Sequence, residues 1–425
     1  MNIYLDTVGC RLNQSEIEKM GNQLRAAGHT LVDQCSLADL VIVNTCAVTT
    51  EAASDSRQKI RQAGRSGAAR IIVTGCWATL DPDGAKVLPS VSQVVSNLDK
   101  DRLIPDILQI SGVETTRRPI PRIPLPGIHQ RTRAFIKAQD GCDNACTYCI
   151  THIVRGAGKS QPVEDILEDI QAAIDGGALE AVLTGVHLGS WGHDLNSGQN
   201  LADLVAMILE KSKIARLRLS SVEPWDLDED FFQLFQNQRL CRHLHLPLQS
   251  GSANTLRRMG RRVTPDGYAK LIKTAREHVP DIAVTTDVMV GFPGESPVDF
   301  EESQQFVQMM GFSAGHVFNF SARPGTPAAT FPDQVEPAVR KQRSRLVRSI
   351  LAKTSLDYRQ HFIGKTMGVL WEKHQPSEEN NWLLEGLTDN YLRVQAKSTL
   401  PLWNKISQVD IVETFSGGLK GKIRE

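Results

Sequence analysis

The 425-residue sequence predicts an α/β protein in three parts: an N-terminal α/β domain on a parallel sheet, a central partial (βα)6 barrel, and a small C-terminal all-β barrel. Two patterns predict this class. Apolar, strand-like runs alternate with helical segments up to about residue 320, and only short strand-like runs with turns follow residue 365. Residues 115–130 hold four prolines and no helical periodicity, which is typical of an extended linker. We therefore predict domains at residues 1–112, 132–360 and 361–425, with a linker at 113–131.

In the N-terminal domain, three apolar runs are each followed by a cysteine. The pairs are Asn2–Asp6 with Cys10, Leu40–Asn44 with Cys46, and Arg70–Thr74 with Cys76. Because parallel strands all point the same way, the loops that follow them share one edge of the sheet, where ligands of open α/β sheets bind. The alternative is that each cysteine is an ordinary buried small residue. We expect the three, called the sheet-edge triplet below, to meet and form a metal site.

The central domain contains six strand candidates, too few for a closed eight-stranded barrel. They are Arg133–Ala138, Glu180–Gly185, Arg216–Ser221, His243–Leu248, Ile282–Val290 and Gly315–Ser321. Between the first two, Pro162–Ile174 carries an apolar helical face behind an initial proline. Polar residues at the strand ends either cap the strands or line the mouth of the barrel.

Directly after the first of these strands, Cys142, Cys146 and Cys149 form a C-x3-C-x2-C motif, the barrel triplet. Four thiolates would close a cluster or a zinc site, whereas three leave one coordination position open. A cluster with an open iron can hold S-adenosylmethionine by its polar end for reductive cleavage, chemistry that the cofactors carry and the protein aims. A zinc knuckle lacking one ligand, or three unrelated core cysteines, are the alternatives.

The C-terminal strand candidates predict a small barrel of the oligonucleotide-binding kind. They are Met367–Trp371, Trp382–Gly386, Tyr391–Val394 and Lys405–Glu413. A structural cap on the central barrel is the alternative. Three basic runs suggest a polyanionic partner or are simply solvated helix faces, since 48 basic and 48 acidic side chains leave no net charge. They lie at 57–65, 257–262 and 340–348.

No apolar run approaches the ~20 residues of a membrane span, and no secretory signal is visible. A cytoplasmic protein is expected. That compartment is reducing, so the eight cysteines are metal ligands or core residues rather than disulfides. We assign Cys35 and Cys241, which belong to neither triplet, to the core.

Several longer motifs extend across essentially the whole chain. They are Gly9–Gln14, Asn44–Thr49, Thr74–Cys76, the barrel triplet, Leu219–Pro224, His245–Gly251, Gly291–Glu295 and Arg323–Thr326. With them the chain resembles the methylthiotransferase family of radical-SAM enzymes. Ser56–Gln58 and Ile60–Arg61, which follow Asn44–Thr49, are most similar to its MtaB-like branch.

The resemblance implies a radical-SAM barrel, a TRAM-type C-terminal barrel that binds RNA, and one [4Fe–4S] cluster on each triplet. It implies that a methylthio group is added to C2 of N6-threonylcarbamoyladenosine beside the tRNA anticodon, with two S-adenosylmethionines consumed. The C2–H bond is not acidic, so a radical is the reasonable route and no catalytic acid or base is assigned. The implied partners are tRNA, an electron donor such as a flavodoxin or ferredoxin, and a sulfur donor.

Around S-adenosylmethionine we expect Tyr148, Gly185, Glu223 and Gln249, and we expect the two triplets to face each other. The alternatives are the same chemistry on isopentenyladenosine in tRNA or on a ribosomal-protein aspartate, and an iron–sulfur RNA-binding protein without turnover. One departure from the family lies in the loop Ile150–Ser160. Many relatives have a proline before Arg155 and a basic residue at 157 or 158, so substrate contacts there are left open.

Overall fold

The computed structural model describes residues 1–107, 132–377 and 381–424, so the predicted linker at 113–131 lies outside the described residues. The predicted fold class is confirmed. A parallel sheet comes first along the chain, the sheets of the partial barrel follow, and a closed β-barrel comes last. In the part of the chain described, no helix is long and apolar enough to cross a membrane.

Residues 1–107 form a five-stranded, fully parallel sheet in the order β2-β1-β3-β4-β5. The elements are β1 Asn2–Thr7, α1 Arg11–Ala26, β2 Thr30–Leu31, β3 Leu40–Thr45, α2 Thr50–Arg65, β4 Ile71–Gly75, α3 Cys76–Leu80, α4 Pro82–Lys86, β5 Val91–Val95 and α5 Leu103–Ile107. The central strands β3 and β4 are buried along their whole length, because helices cover both faces of the sheet. The edge strands β2 and β5 were not predicted from the sequence.

Residues 132–360 form the partial barrel. Its elements are β6 Arg133–Lys137, β7 Gln139–Asp140, α6 Thr151–Arg155, β8 Lys159–Ser160, α7 Val163–Asp175, β9 Glu180–Thr184, α8 Leu201–Lys211, β10 Arg216–Leu219, β11 His243–His245, α9 Ala253–Arg258, α10 Pro265–His278, β12 Ala283–Val290, α11 Pro297–Met310, β13 Ala314–Asn319 and α12 Pro337–Gln360. The barrel contains two parallel three-stranded sheets, β10-β9-β6 and β11-β12-β13, and an isolated bridge from Ser221, just beyond β10, to His245 of β11 connects them.

The described C-terminal residues form a closed five-stranded barrel in the order β14-β15-β16-β18-β17. Its strands are β14 Thr366–Pro376, β15 Trp382–Thr388, β16 Arg393–Ser398, β17 Ile406–Phe415 and β18 Gly418–Ile423. Arg216 and Arg218 of β10 donate hydrogen bonds to backbone carbonyls of this small barrel, at 2.8–3.1 Å. It therefore packs against the amino-terminal end of β10, opposite the end where catalytic loops gather.

The N-terminal domain packs against the central barrel through helices. Helix α1 lies along the edge strand β6, and α3 packs against α6. One buried apolar cluster includes Cys76 and Trp77 of the first domain together with Ile150 and Val154 of the second. These contacts bring the end of the parallel sheet next to the segment that follows the barrel triplet.

Candidate active site: two sets of three cysteines

The sheet-edge triplet follows three adjacent strands, with Cys10 after β1, Cys46 after β3 and Cys76 after β4. The loops touch directly. Gly9 has a φ of +104°, and a Cβ there would lie 2.6 Å from the Sγ of Cys46. Gly75 has a φ of +98°, and a Cβ there would overlap the carbonyl of Thr45. Only glycine fits such backbone conformations and close approaches, so the glycines beside the cysteines allow the three loops to converge.

The thiols of this triplet differ in exposure, since Cys46 and Cys76 are buried and Cys10 is not. Burial, with smaller contributions from the nearby Cys10 and Cys76, raises the pKa of Cys46 to about 12. Cys10 is accessible to solvent. Even so, the surrounding protein raises the pKa of Cys10, and the positive charge of Arg155 partly offsets this. Each thiol raises the cost of charging its neighbours, which a bound metal cation would relieve.

The barrel triplet lies in the loop between β7 and α6, where the backbone folds around the sulfurs. Backbone N–H groups point at two of them, from Asn144 to Cys142 at 3.4 Å and from Thr151 to Cys149 at 3.5 Å. Burial outweighs the opposing positive charge of Arg261 and raises the pKa of Cys146 to about 11. A cavity of about 280 Å³ opens beside Cys142. It is lined in part by His152, Gly156 and Ala157, which lie in the segment Ile150–Ser160.

All eight cysteines are free thiols. Within residues 1–107, 132–377 and 381–424, no three His, Cys, Asp or Glu side chains are close enough together to hold a single metal ion. Each triplet supplies three thiol ligands, which leaves one position of a four-ligand metal group open.

Two of the four predicted S-adenosylmethionine contacts lie near the barrel triplet. Arg261 donates to both carboxylate oxygens of Glu223, at 2.8 and 2.6 Å. The same guanidinium is close enough to Tyr148 and Cys146 for these groups to raise its pKa, although burial opposes them. The ring of Tyr148 packs edge-on against Phe292, with centroids 6.4 Å apart.

The other two predicted contacts lie at neighbouring strand ends. Gly185 directly follows β9, and a Cβ there would press on Gln139. Gln249 has a φ of +68°, and its backbone bonds to Asp287 and Met289 of β12. Neither residue forms a hydrogen bond to the barrel triplet among the described residues, so their role as contacts stays a prediction.

Sequence reasoning missed the polar residues that support the barrel triplet. His187 lies 2.7 Å from Asp226 and 3.3 Å from the side chain of Asn144. Burial lowers the pKa of His187, but Asp226 and Cys142 outweigh it and raise the pKa to about 9. The sequence signal was the position of His187 just beyond β9. Arg261 and Arg343 were grouped with basic runs, but both are buried.

The comparisons with known proteins divide the chain in the same way. Residues 136–307 match the Radical SAM superfamily, and residues 2–96 match the Uncharacterized protein family UPF0004. The Threonylcarbamoyladenosine tRNA methylthiotransferase MtaB of Thermotoga maritima is 38% identical over 87% of this chain and 86% of its own length. The protein of the same name from Bacillus subtilis is 33% identical over 97% and 94%. A tRNA-2-methylthio-N(6)-dimethylallyladenosine synthase of Caldicellulosiruptor saccharolyticus is 31% identical over 99% and 92%.

Among solved structures, the radical S-adenosylmethionine methyltransferase TsrM from Kitasatospora setae, with cobalamin and a [4Fe-4S] cluster bound, is similar with a TM-score of 0.58. It is 14% identical and covers 77% of each chain. The cobalamin-dependent radical enzyme OxsB has a TM-score of 0.51 and 12% identity, covering 82% of this chain and 56% of its own. At these identities the likeness shows the fold alone.

Proposed function

The chain belongs to the radical-SAM tRNA methylthiotransferases of the MtaB type, and we propose that it adds a methylthio group to C2 of N6-threonylcarbamoyladenosine next to the tRNA anticodon. We propose a [4Fe–4S] cluster on each triplet, one S-adenosylmethionine for the radical step and a second for methylation of the sulfur. An electron donor such as a flavodoxin or ferredoxin and a sulfur donor complete the proposed reaction. With tRNA as substrate, the proposed compartment is the cytoplasm.

The observation that carries this proposal is the presence of two open-ended cysteine triplets on adjoining domains. One site for radical formation and one for sulfur are what insertion of sulfur at an unactivated C–H carbon requires. When bound, the cluster and S-adenosylmethionine supply the carbon radical that breaks this bond. A protein that only bound iron and RNA would have no use for a free coordination position in each site.

In this proposal Cys142, Cys146 and Cys149 hold the barrel cluster, while Cys10, Cys46 and Cys76 hold the sulfur-bearing one. Glu223, oriented by its two bonds from Arg261, offers carboxylate oxygens that suit hydroxyl groups of the cofactor. Tyr148, Gly185 and Gln249 are proposed to surround the same cofactor. The C-terminal barrel is proposed to bind the RNA.

The substrate assignment needs a cation, because the threonyl group carries a carboxylate that an isopentenyl group lacks. Arg57 of α2 is the candidate we propose. Its guanidinium lies over the ring of Trp77, 5.8 Å from the centroid, directly beside Cys76. Among the described residues it has no hydrogen-bond or ion-pair partner. Arg57 shares a helix face with Thr50, whose hydroxyl lies 3.0 Å from Ser321 of the central domain, so it faces that domain.

The test is anaerobic reconstitution of the full chain, followed by addition of reductant, S-adenosylmethionine and tRNA that already bears threonylcarbamoyladenosine. Digested nucleosides are analysed by mass spectrometry, and 5′-deoxyadenosine is quantified in the same sample. A methylthio adduct of that nucleoside supports both the chemistry and the substrate. If 5′-deoxyadenosine accumulates without the adduct, the substrate assignment is wrong. If neither product forms while both sites hold iron, the protein is an iron–sulfur RNA-binding protein.

A further inference from the structure

The short helix α6 connects the two triplets. It begins two residues after Cys149 and ends at Arg155, whose side chain is only 2% exposed. Arg155 donates a hydrogen bond of 2.7 Å to the Oδ1 of Asn13, and the thiol of Cys10 contacts the same oxygen at 3.8 Å. One asparagine thus joins the end of α6 to the first cysteine of the sheet-edge triplet.

A second asparagine makes the equivalent connection one residue earlier. The Nδ2 of Asn97 donates to the carbonyl of Val154 at 2.9 Å and to the Sγ of Cys76 at 3.6 Å. Two consecutive residues of the central domain are therefore linked, each through one amide side chain, to two of the three cysteines on the other domain. Helices α3 and α6 could pack through apolar side chains alone, so the two asparagine amides do more than hold the helices together.

Arg155 belongs to a network of paired charges. Its guanidinium lies 2.9 Å from Glu16 and 2.8 Å from Asp140, and these two carboxylates are also paired with Lys100 and Lys137. In this buried environment the positive charge of Arg155 is weakly screened and acts on the thiol of Cys10.

We propose that Arg155 is a positioning residue of the sheet-edge metal site, acting together with Asn13 and Asn97. The three side chains fix Cys10 and Cys76 relative to the barrel triplet, and the positive charge of Arg155 favours the reduced, more negative state of a cluster bound there. Side chains behind the metal ligands commonly orient them and tune reduction potential through charge and hydrogen bonds to sulfur. This inference rests on the proposed second cluster.

The potential of the sheet-edge site can be measured alone in a protein in which Cys142, Cys146 and Cys149 are all replaced by alanine. In that background we expect Arg155→Met to shift the midpoint potential to more negative values in a titration monitored by EPR. Arg155→Lys keeps the charge but loses the planar fork, so its potential should stay nearer the parent value. In the reciprocal background, with the sheet-edge triplet replaced, Arg155→Met should shift the barrel site less.

Because Arg155→Met also removes an ion-pair partner of Glu16 and Asp140, Asn97→Leu is the second variant. It removes the hydrogen bonds to Cys76 and Val154 and leaves no charge unpaired. We expect a shift in the same direction, or a selective loss of iron from the sheet-edge site. An unchanged potential with full iron in Asn97→Leu overturns the inference. If the parent without the barrel triplet binds no cluster at all, the proposed second cluster fails instead, and the two failures are distinguishable.

Discussion

Replacement of Arg57 by leucine tests how this site recognises its substrate. The side chain is half-buried over Trp77 and, among the described residues, makes no ion pair that would compete for its guanidinium. If it receives the threonyl carboxylate, Arg57→Leu removes a charge-assisted hydrogen bond from the enzyme–substrate complex. The leucine side chain retains some of the packing on the ring of Trp77, so the substitution mainly removes the positive charge.

The expected size follows from the surroundings of Arg57. Hydrogen bonds to charged groups contribute about 1.5–3 kcal/mol, and partial exposure places this one in the lower half of that range. A loss of about 1.5–2 kcal/mol corresponds to a decrease of about 10–30-fold in kcat/KM. Arg57→Lys should fall between, since lysine keeps the charge without the planar fork or the stacking surface.

The assay compares kcat/KM on tRNA bearing threonylcarbamoyladenosine with the same tRNA in which the threonyl carboxylate is an amide. Arg57→Leu should lose activity on the first substrate and almost none on the second. Arg61→Leu is the matched control, because Arg61 is exposed on the same helix and stacks on no ring in the described structure. An equal loss on both substrates, or no loss on either, would refute the assignment.

Three further predictions concern ligands and stability. Cys35→Ser and Cys241→Ser should each keep the full iron content, and loss of about four irons from either would make it a ligand. Gly75→Ala should lose about four irons because its methyl group overlaps a carbonyl at the end of β3. Gly67→Ala, with a similar φ of +87° but open space around it, should cost only about 1–2 kcal/mol and no iron. Arg218→Met should lower the free energy of unfolding in urea by about 3–5 kcal/mol, since its fully buried carboxylate partner is left uncompensated; a loss below 1 kcal/mol would contradict this.

The same ion pair sets an acid limit on stability. Burial raises the pKa of Glu180, but the guanidinium of Arg218 outweighs it and holds the pKa below its usual range. A carboxyl whose pKa is depressed on folding stabilises the native state above its unfolded pKa, about 4.3, and loses that contribution as pH falls through the folded value. This pair therefore adds no pH dependence between pH 6 and 8.

The sequence predicted the interior strands well because their apolar runs are long and bounded by turn residues. It failed where a strand is short or mixed: β2 has two residues, β5 is Val-Ser-Gln-Val-Val, and β18 is Gly-Leu-Lys-Gly-Lys-Ile. The strand predicted at His243–Leu248 stops at His245. Pro247 has no N–H to donate to the neighbouring strand, so the regular strand ends before it. Leu246 and Leu248 are nevertheless buried in the core.

Both cysteine triplets could be predicted as groups, one from local spacing and the other from the order of strands in a parallel sheet. Their supporting residues could not, because these partners are far apart in sequence. Arg155 is 142 positions from Asn13, and Arg261 is 38 from Glu223. Neither periodicity nor composition distinguishes a buried, paired arginine from a solvated one. A basic run therefore gives no sign that one of its arginines is buried in an ion pair with a carboxylate from a distant segment.

The position of α6 also bears on why the proposed reaction needs a rigid connection between the domains. In that proposal hydrogen is removed from, and sulfur attached to, the same carbon, so the metal sites proposed on the two triplets must approach one base from fixed directions. Five helical residues rise about 7.5 Å, and in this chain that single turn separates the loop of Cys149 from the contacts to Cys10 and Cys76. A short helix whose last two residues are buried, fastened by two amides and an ion-pair network, holds such a distance far better than a long connection, whose ends sample many separations.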